Sequence, residues 1–179
     1  MSIKWQRIVY LTIIVVFLAG IITSVYYLLG GFEPIKVYKM ESENRVMVGK
    51  TFYNHYTSVD PIEFGKRCRE LLENKEIEGV LTIIRYQNDT IPDDKILQFI
   101  GITLDYDMAE IPRDFDVKEV KTGTRYGVFL TMHVLAQPRP PKIEAMIREA
   151  AIANGDKLQD LFVEFRYLDN SLSVEGWVD

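Results

Sequence analysis

The residues best suited to bind a metal or transfer a proton are two histidines, His55 and His133. Each lies six residues after a glycine, Gly49 and Gly127 respectively. Imidazole binds metals and exchanges protons near neutral pH. If the two segments are related halves of one fold, the rings could converge as a metal site or an acid–base pair.

Other catalytic signals are absent from the sequence, which has no P-loop, nucleophile elbow, Cys-x-x-Cys or His-Glu-x-x-His motif. The single cysteine, Cys68, excludes an internal disulfide, and its helical pattern predicts a buried, unreactive thiol. The net charge of −5 argues against nucleic-acid binding, which needs clustered basic faces. We expect no cofactor and no metal. Whether the protein is an enzyme stays open, and a non-catalytic role is favoured.

Residues 8–30 form a 23-residue run without a charged side chain. As a helix rising ~1.5 Å per residue, this run would be ~35 Å long, enough to cross a ~30 Å hydrocarbon core. The alternative is a cleaved signal peptide, which has an apolar core of about 7–15 residues and a small-residue cleavage site. The greater length and the ending Tyr-Tyr-Leu-Leu-Gly-Gly favour a retained, single-pass signal-anchor helix.

The basic residues beside this segment are almost balanced: Lys4 and Arg7 precede it, and Lys36, Lys39 and Arg45 follow it. The positive-inside rule places the side richer in Lys and Arg in the cytoplasm. Because the N-terminal charges lie in a very short tail close to the span, we favour a cytoplasmic N-terminus. The soluble domain would then lie outside the cytoplasm.

We divide the chain into a tail (1–7), the anchor helix (8–30), a linker (31–34) and one soluble domain (35–179). Alternating apolar residues predict strands. Asp60 as the N-cap, with Pro61 in the first turn and Glu63 three residues after the cap, predicts one helix start, and Pro140-Pro141 predicts the other. The first helix would bury its face through Ile62, Phe64, Cys68, Leu71 and Leu72, and the second, 142–153, through Ile143, Met146, Ile147, Ala150 and Ile152. The predicted strands are 35–41, 45–53, 80–86, 96–104, 117–121, 125–135, 161–168 and 172–178.

The order of these elements repeats, in halves of about 35–109 and 117–179. Two segments are also alike in sequence, IIRYQND at 83–89 and EFRYLDN at 164–170. We therefore predict an α+β fold with a duplicated β-α-β-β unit, an antiparallel sheet and helices on one face. A groove between the two halves would follow from this arrangement.

Five short motifs occur in one order along 35–178, and together they resemble the GyrI-like family, the effector-binding domain of AraC- and MerR-type regulators. Each motif is weakly specific by itself, and their order makes the resemblance specific. They are Arg45-Val-Met-Val-Gly49, Asn54-His55-Tyr56, Tyr86-x-Asn88 with Pro92-x-Asp94-Lys95, Gly123-x-x-Tyr126, and Val174-Glu175-x-Trp177-Val178.

The resemblance implies two β-α-β-β halves around a pocket that is lined by aromatic residues, holds a carboxylate, and binds lipophilic cations or other small molecules. An acid in such a low-dielectric cavity attracts a cation by charge, and the rings add a quadrupole attraction. The ligand-binding residues implied here are Glu164, with Glu175 as second choice for the counter-charge, and the walls Tyr126, Trp177 and Tyr86.

The role of Glu164 depends on the register of its strand. If the register follows the internal repeat, Glu164 takes the pocket position with Ile83 as its partner. If it follows Tyr167, Phe165 takes that position and the acid is lost, because a one-residue slip turns every side chain to the other face. A solvated or Arg166-paired Glu164 is the alternative to a ligand-binding one.

The resemblance also bears on the histidines and on the anchor. It places His55 in a turn while His133 lies in a predicted strand, so a shared metal site is not expected. The apolar helix stands where regulators of this family carry a DNA-binding domain, so a role as a conventional transcription factor is not expected.

The predicted function is a membrane-anchored module that binds or senses a lipophilic or cationic small molecule in a pocket between two pseudo-symmetric halves. The alternatives are a protein-interaction scaffold and a hydrolase that attacks electrophilic small molecules with a pocket carboxylate and a tyrosine. The expected partners are a small-molecule ligand and the membrane, without nucleic acid, and any protein partner is unknown. The sequence leaves open the ligand's identity, the oligomeric state and any catalytic activity.

Overall fold

The structure, a computed structural model, describes residues 3–105 and 111–179. Within these residues it has three helices: α1 (Ile3–Leu28), α2 (Asp60–Glu73) and α3 (Pro140–Ala153). Eight strands form one sheet: β1 (Tyr38–Met40), β2 (Asn44–His55), β3 (Gly79–Tyr86), β4 (Lys95–Leu104), β5 (Asp116–Lys121), β6 (Arg125–Leu130), β7 (Leu161–Arg166) and β8 (Leu172–Trp177). The predicted α+β class and the order of elements are confirmed.

The strands lie in the order β1-β6-β8-β7-β3-β4-β2-β5, and all the pairings are antiparallel. The two predicted halves meet where β3 pairs with β7. Each half places its first strand on the other half, because β1 pairs with β6 and β5 pairs with β2. This exchange joins the halves at both edges of the sheet as well as at its centre.

Helix α2 starts at the predicted position but without the predicted cap. Pro61 lies in its first turn, where its fixed φ suits a helix and its missing N–H has no intrahelical partner to lose. Val59 is the N-cap residue, and no side chain caps the helix. The expectation that Asp60 caps this helix is therefore wrong, since Asp60 is itself the first helical residue.

The buried face of α2 consists of Phe64, Cys68 and Leu72, at four-residue spacing. Ile62 is 59% exposed, against the prediction, because it stands about 200° around the helix from Phe64 at ~100° per residue. Cys68 is buried, as predicted, and burial raises the pKa of its thiol to about 12.

Helix α3 begins at the Pro140-Pro141 pair and buries Ile143, Ile147 and Ala151. Ile152 was predicted to lie inside but is 73% exposed. Its neighbour Ala151 takes the buried position, four residues after Ile147 on the same helix face.

Both helices cover the same face of the sheet. Leu81 and Ile100 pack in one cluster with the buried face of α2. A side chain added at Gly176 of β8 would meet Ile147 of α3, so this side of β8 faces α3. Gly176 and Leu81 lie on the same face of the sheet, as the pairings from β8 through β7 to β3 and the alternation of side chains show. This confirms the prediction that the helices lie on one face.

The opposite face of the sheet is concave. Arg45 of β2 reaches Glu175 of β8 at 3.0 Å, although three strands lie between β2 and β8. Four strand spacings would separate them by about 19 Å in a flat sheet. The curvature encloses a second core, which consists of Met47, Ile84, Phe99, Val163, Phe165 and Trp177.

Strand β6 ends at Leu130, five residues earlier than the predicted end at Leu135. Its pairing with β8 stops where Leu130 faces Leu172, the first residue of β8, so the following residues have no strand to pair with. Residues 131–137 group instead with residues 1–34 in one compact unit, and 35–130 with 138–179 form the other. In the first unit, the His133 N–H donates to the Leu29 carbonyl at 3.1 Å.

Helix α1 contains one segment, Arg7–Leu28, that is long and apolar enough to cross a membrane by length and composition. A signal sequence near an N-terminus has the same properties, so a retained anchor and its orientation stay predictions. The helix is apolar on all sides and exposed along most of its length, unlike the amphipathic α2. A helix with apolar side chains all round is typical of a membrane span or of a large protein core.

Candidate functional site

A groove of about 320 Å³ lies between α2 and the sheet. The helix contributes Pro61, Ile62, Gly65, Lys66 and Arg69 to its wall. Ile62, Lys66 and Arg69 follow one another at i, i+4 and i+7, so they form a second stripe beside the buried stripe of the same helix. The second stripe does not enter the core. It forms one wall of the groove instead.

The floor of the groove comes from both halves of the domain. Leu81 and Ile83 of β3 and Ile100 of β4 supply an apolar surface, and Arg166 of β7 closes it from the second half. Gly65 lets the helix leave space here, because a Cβ at this position would lie 3.8 Å from Ile100 Cγ2. The groove thus follows the line along which the two halves are joined.

Glu164 is 3% exposed and lies opposite Ile83 in the β3–β7 pairing. This is the register expected from the internal repeat, and it turns Phe165 into the concave core. Arg85 Nη2 donates to Glu164 Oε1 at 2.5 Å, and Arg166 Nε and Nη2 donate to Oε2 at 3.2 and 2.8 Å. Glu164 is therefore Arg166-paired, and its role in ligand binding stays a prediction.

Arg85 connects this carboxylate to the other helix. Its Nη2 also donates to Glu144 of α3 at 2.9 Å. Its Nε is buried and has no hydrogen-bond partner among the residues that the structure describes. Buried donors are nearly always paired in proteins, so this nitrogen is an exception, and Arg85 is not among the residues that line the groove.

The rim of the groove is cationic. Lys66 has no ion pair or hydrogen bond from its ammonium group within the described residues, and Arg69 pairs with Glu73 at 2.8 Å. Arg166 exposes 53% of its side chain while it holds Glu164. The groove thus combines an apolar floor with three basic side chains, an arrangement suited to a molecule with one apolar and one polar end.

A second buried glutamate, Glu175, lies on the concave face. Arg45 donates to it through two nitrogens, both at 3.0 Å, and Arg125 Nη1 donates at 3.1 and 3.2 Å. Trp177 Nε1 adds a fifth hydrogen bond at 3.2 Å. The Arg45 guanidinium also stacks 4.4 Å from the ring centre of Phe165. This cluster is packed into the concave core.

The structure does not bring the five predicted ligand-binding residues together. Glu164 and Tyr126 lie on the helix-covered face, while Tyr86, Trp177 and Glu175 lie on the concave face. Alternation of side chains along paired strands separates them in this way. As ligand-binding residues all five stay predictions, but they do not line one pocket.

The aromatic members of the set take part in packing and hydrogen bonding. Tyr126 is 1% exposed, and its hydroxyl donates to Asp156 at 2.5 Å. Hydrogen bonds from Lys39 and from Tyr126 lower the pKa of Asp156 below its usual value. The Tyr86 hydroxyl accepts a hydrogen bond from Lys118 Nζ at 3.0 Å.

Sequence reasoning missed the α2 stripe and Arg85. One signal could have found Arg85: the repeated segments IIRY and EFRY each carry an arginine before the tyrosine, and these are Arg85 and Arg166. Both arginines reach Glu164. The stripe of Ile62, Lys66 and Arg69 is recognised only when a second face of α2, beside the buried one, is examined.

A metal site shared by the two histidines was not expected, and both histidines lie elsewhere than the predicted turn and strand. His55 is the last residue of β2, and His133 lies beyond the end of β6, where a strand had been predicted. In the part of the chain that the structure describes, no group of three or more His, Cys, Asp or Glu side chains could hold a metal ion.

Comparison with known proteins identifies similarity only at the level of the fold. No family model matches the sequence, and no curated protein matches it. The C-terminal domain of EcmrR superposes with a TM-score of 0.55 at 11% identity, covering 81% of this chain and 98% of that domain. EcmrR in a DNA complex gives 0.53 at 9% identity, covering 98% of this chain and 71% of the other.

SAV2435 bound to tetraphenylphosphonium gives a TM-score of 0.43 at 15% identity, over 82% of this chain and 94% of the other. Because EcmrR is bound to DNA in one of these structures, the expectation that this chain binds no nucleic acid stays a prediction. The likeness to the EcmrR C-terminal domain shows the fold of this chain's sheet and helices, in agreement with the fold that the GyrI-like motifs predict.

Proposed function

We propose that this protein is a membrane-anchored module that binds an amphipathic small molecule in the groove between α2 and the sheet. The observation that carries the proposal is the groove itself, about 320 Å³ with Ile83 and Ile100 in its floor and basic side chains at its rim. Small-molecule sites are typically concave and mostly apolar, with a few polar groups that orient the ligand, and begin at about 300 Å³.

The position of the groove beside the β3–β7 pairing, where the two predicted halves meet, supports this location. Arg166 comes from the second half, whereas the rest of the groove comes from the first half. Arg85 extends the contact to α3 through Glu144. A ligand in the groove would therefore touch both halves.

The apolar helix supports the membrane part of the proposal. Arg7–Leu28 has the length and composition of a span. A module held at a bilayer meets amphipathic molecules at raised concentration, because such molecules partition to the membrane surface. The anchor would thus increase the occupancy of the groove.

Hydrolysis is less well supported than binding. A catalytic carboxylate must reach a proton donor or the reacting atom of a substrate. Both oxygens of Glu164 accept hydrogen bonds from guanidinium groups, and no tyrosine is among its partners in the described residues. The arrangement restrains the Glu164 carboxylate, which suits a role in holding Arg85 and Arg166 in position.

The proposal is tested with two substitutions at Gly65. Gly65→Leu should fill the groove beside Ile100, and we expect it to weaken binding of the neutral fluorescent probe N-phenyl-1-naphthylamine about 10-fold or more. Gly65→Ala is the matched control, since its methyl group makes only an ordinary van der Waals contact with Ile100. The measurement is probe fluorescence with the full-length chain in lipid nanodiscs, after subtraction of empty nanodiscs.

Circular dichroism of both variants should match the wild-type spectrum, which separates a blocked groove from a disrupted helix. Equal binding of the probe by wild type, Gly65→Ala and Gly65→Leu would remove the groove from the function.

A further inference from the structure

The charges that line the groove are all of one sign. Its described lining contains three cationic side chains, Lys66, Arg69 and Arg166, and no acidic one. The nearest buried acid, Glu164, does not line the groove, whereas its partner Arg166 does. A molecule that enters this site therefore meets basic groups first.

The carboxylate of Glu164 is also occupied. It accepts three hydrogen bonds, one from Arg85 and two from Arg166. A cationic ligand would have to displace Arg166 from Glu164 and stand beside the displaced charge. The first step breaks an ion pair, and the second brings like charges together where water is partly excluded, so both steps are unfavourable.

Free donors, by contrast, are available. The Lys66 ammonium has no partner within the described residues, and Arg166 uses Nε and Nη2 for Glu164. Its Nη1 forms no hydrogen bond with any described residue. A planar guanidinium and an ammonium group are the donors that bind carboxylate, sulfonate and phosphate groups best.

We infer that the groove selects an amphipathic anion, with its acidic head against Lys66 and Arg166 and its apolar body over Ile83 and Ile100. This is the opposite charge from the lipophilic cation that the sequence resemblance implies. The inference rests on the proposed function, because it assigns a ligand class to the same groove. Soluble organic acids and anionic lipids share the required chemistry.

The test uses two probes of equal shape and opposite charge, 2-naphthalenesulfonate and 2-naphthyltrimethylammonium. Each is titrated calorimetrically into the full-length chain in phosphatidylcholine nanodiscs, with empty nanodiscs as the blank. We expect the anion to bind about 10-fold tighter than the cation, since one charge-assisted hydrogen bond is enough for that ratio.

The decisive variant is Lys66→Glu, which reverses one exposed charge at the rim. The anion should bind about 10-fold more weakly and the cation more tightly, whereas a folding defect would weaken both. Lys142→Glu is the matched control, because Lys142 is an exposed lysine on α3 outside the groove. It should leave both affinities within about 2-fold of wild type.

Equal affinities for the two probes, or tighter binding of the cation, would overturn the inference. If Gly65→Leu still abolishes that binding, the groove survives as a small-molecule site and only its charge preference fails. If Gly65→Leu has no effect, the proposed function fails as well.

A second set of nanodiscs, containing phosphatidylglycerol, distinguishes the two sources of anion. A lipid headgroup in the groove should lower the apparent affinity of wild type for 2-naphthalenesulfonate by more than it lowers that of Lys66→Glu. An equal decrease in the two proteins reflects only the charged bilayer, and it assigns the groove to soluble acids.

Discussion

The two faces of the sheet each hold one buried glutamate between two arginines. Glu164 and Glu175 are both 3% exposed. On the concave face, the side chains of Arg45 and Arg125 are only 12% and 8% exposed. On the helix-covered face, those of Arg85 and Arg166 are 30% and 53% exposed. The acids are equally buried, and the difference lies in their cations.

This difference separates a structural cluster from an available site. Glu175 accepts five hydrogen bonds within a packed core, and Glu43 pairs with both Arg45 and Arg125 at 2.9 Å, so two acids balance the two arginines. The Glu164 cluster leaves Arg166 partly in solvent and Arg85 Nε without a described partner. Burial of the acid does not distinguish the Glu164 cluster from the Glu175 cluster, because it is the same in both. The exposure of the paired arginines does distinguish them.

The largest expected effect is that of Glu175→Gln. It leaves the buried Arg45 and Arg125 with only the half-exposed Glu43 as counter-charge, and loss of one partner from a buried pair costs about 3–5 kcal/mol. We expect the free energy of unfolding to fall by about 3 kcal/mol in a urea titration of the full-length chain. Glu149→Gln, at an exposed position of α3, is the control. A loss similar to that of the control would show that the concave cluster is not structural.

Glu164→Gln should cost less, about 1–2 kcal/mol, because Arg166 can turn to solvent and Arg85 keeps Glu144. The same variant removes a negative charge beside the groove, so the affinity for 2-naphthalenesulfonate should rise. The stability is measured by the same urea titration, and the affinity by calorimetry. If both glutamates gave equal losses, the exposure of the arginines would not be what distinguishes the two faces.

The element order could be predicted from the sequence because its signals are local. Alternation gave the strands, and the prolines at 61 and 140–141 gave the helix starts. The end of β6 could not be predicted, since it depends on where β8 begins. The exchange of β1 and β5 between the halves could not be predicted either, because local sequence patterns do not show which strands pair.

The candidate site was less predictable than the fold. The internal repeat indicated the correct partner of Glu164, Ile83, because it aligns the two residues at which β3 and β7 pair. It could not show that Glu175 and Trp177 lie on the other face, since period-two alternation fixes the relation of residues within one strand only. The groove wall on α2 was missed because one helix face had been assigned to the core and the rest to solvent.

The smallest effect is expected at a third carboxylate with two cations, Asp114, which lies on the surface. Arg67 donates to it at 2.6 Å and Lys50 at 3.1 Å. All three side chains are more than one-third exposed, at 43% for Asp114, 48% for Arg67 and 37% for Lys50. Solvent screens such pairs, so Asp114→Asn should lower the unfolding midpoint by less than Glu164→Gln does.

The pH dependence of that small effect has a defined sign. Hydrogen bonds from Arg67 and then Lys50 hold the pKa of Asp114 well below its usual range in the folded protein. An unfolded aspartate titrates near ~3.9, so the stabilisation is complete above that pH and is lost as the pH falls toward the folded pKa. The difference in thermal midpoint between wild type and Asp114→Asn should therefore be constant from pH 7 to about pH 5 and shrink steadily below pH 4. A difference that stays constant down to pH 2.5 would mean that Asp114 acts through packing. The relation between the exposure of the cations and the loss of stability would then hold only for the two buried glutamates.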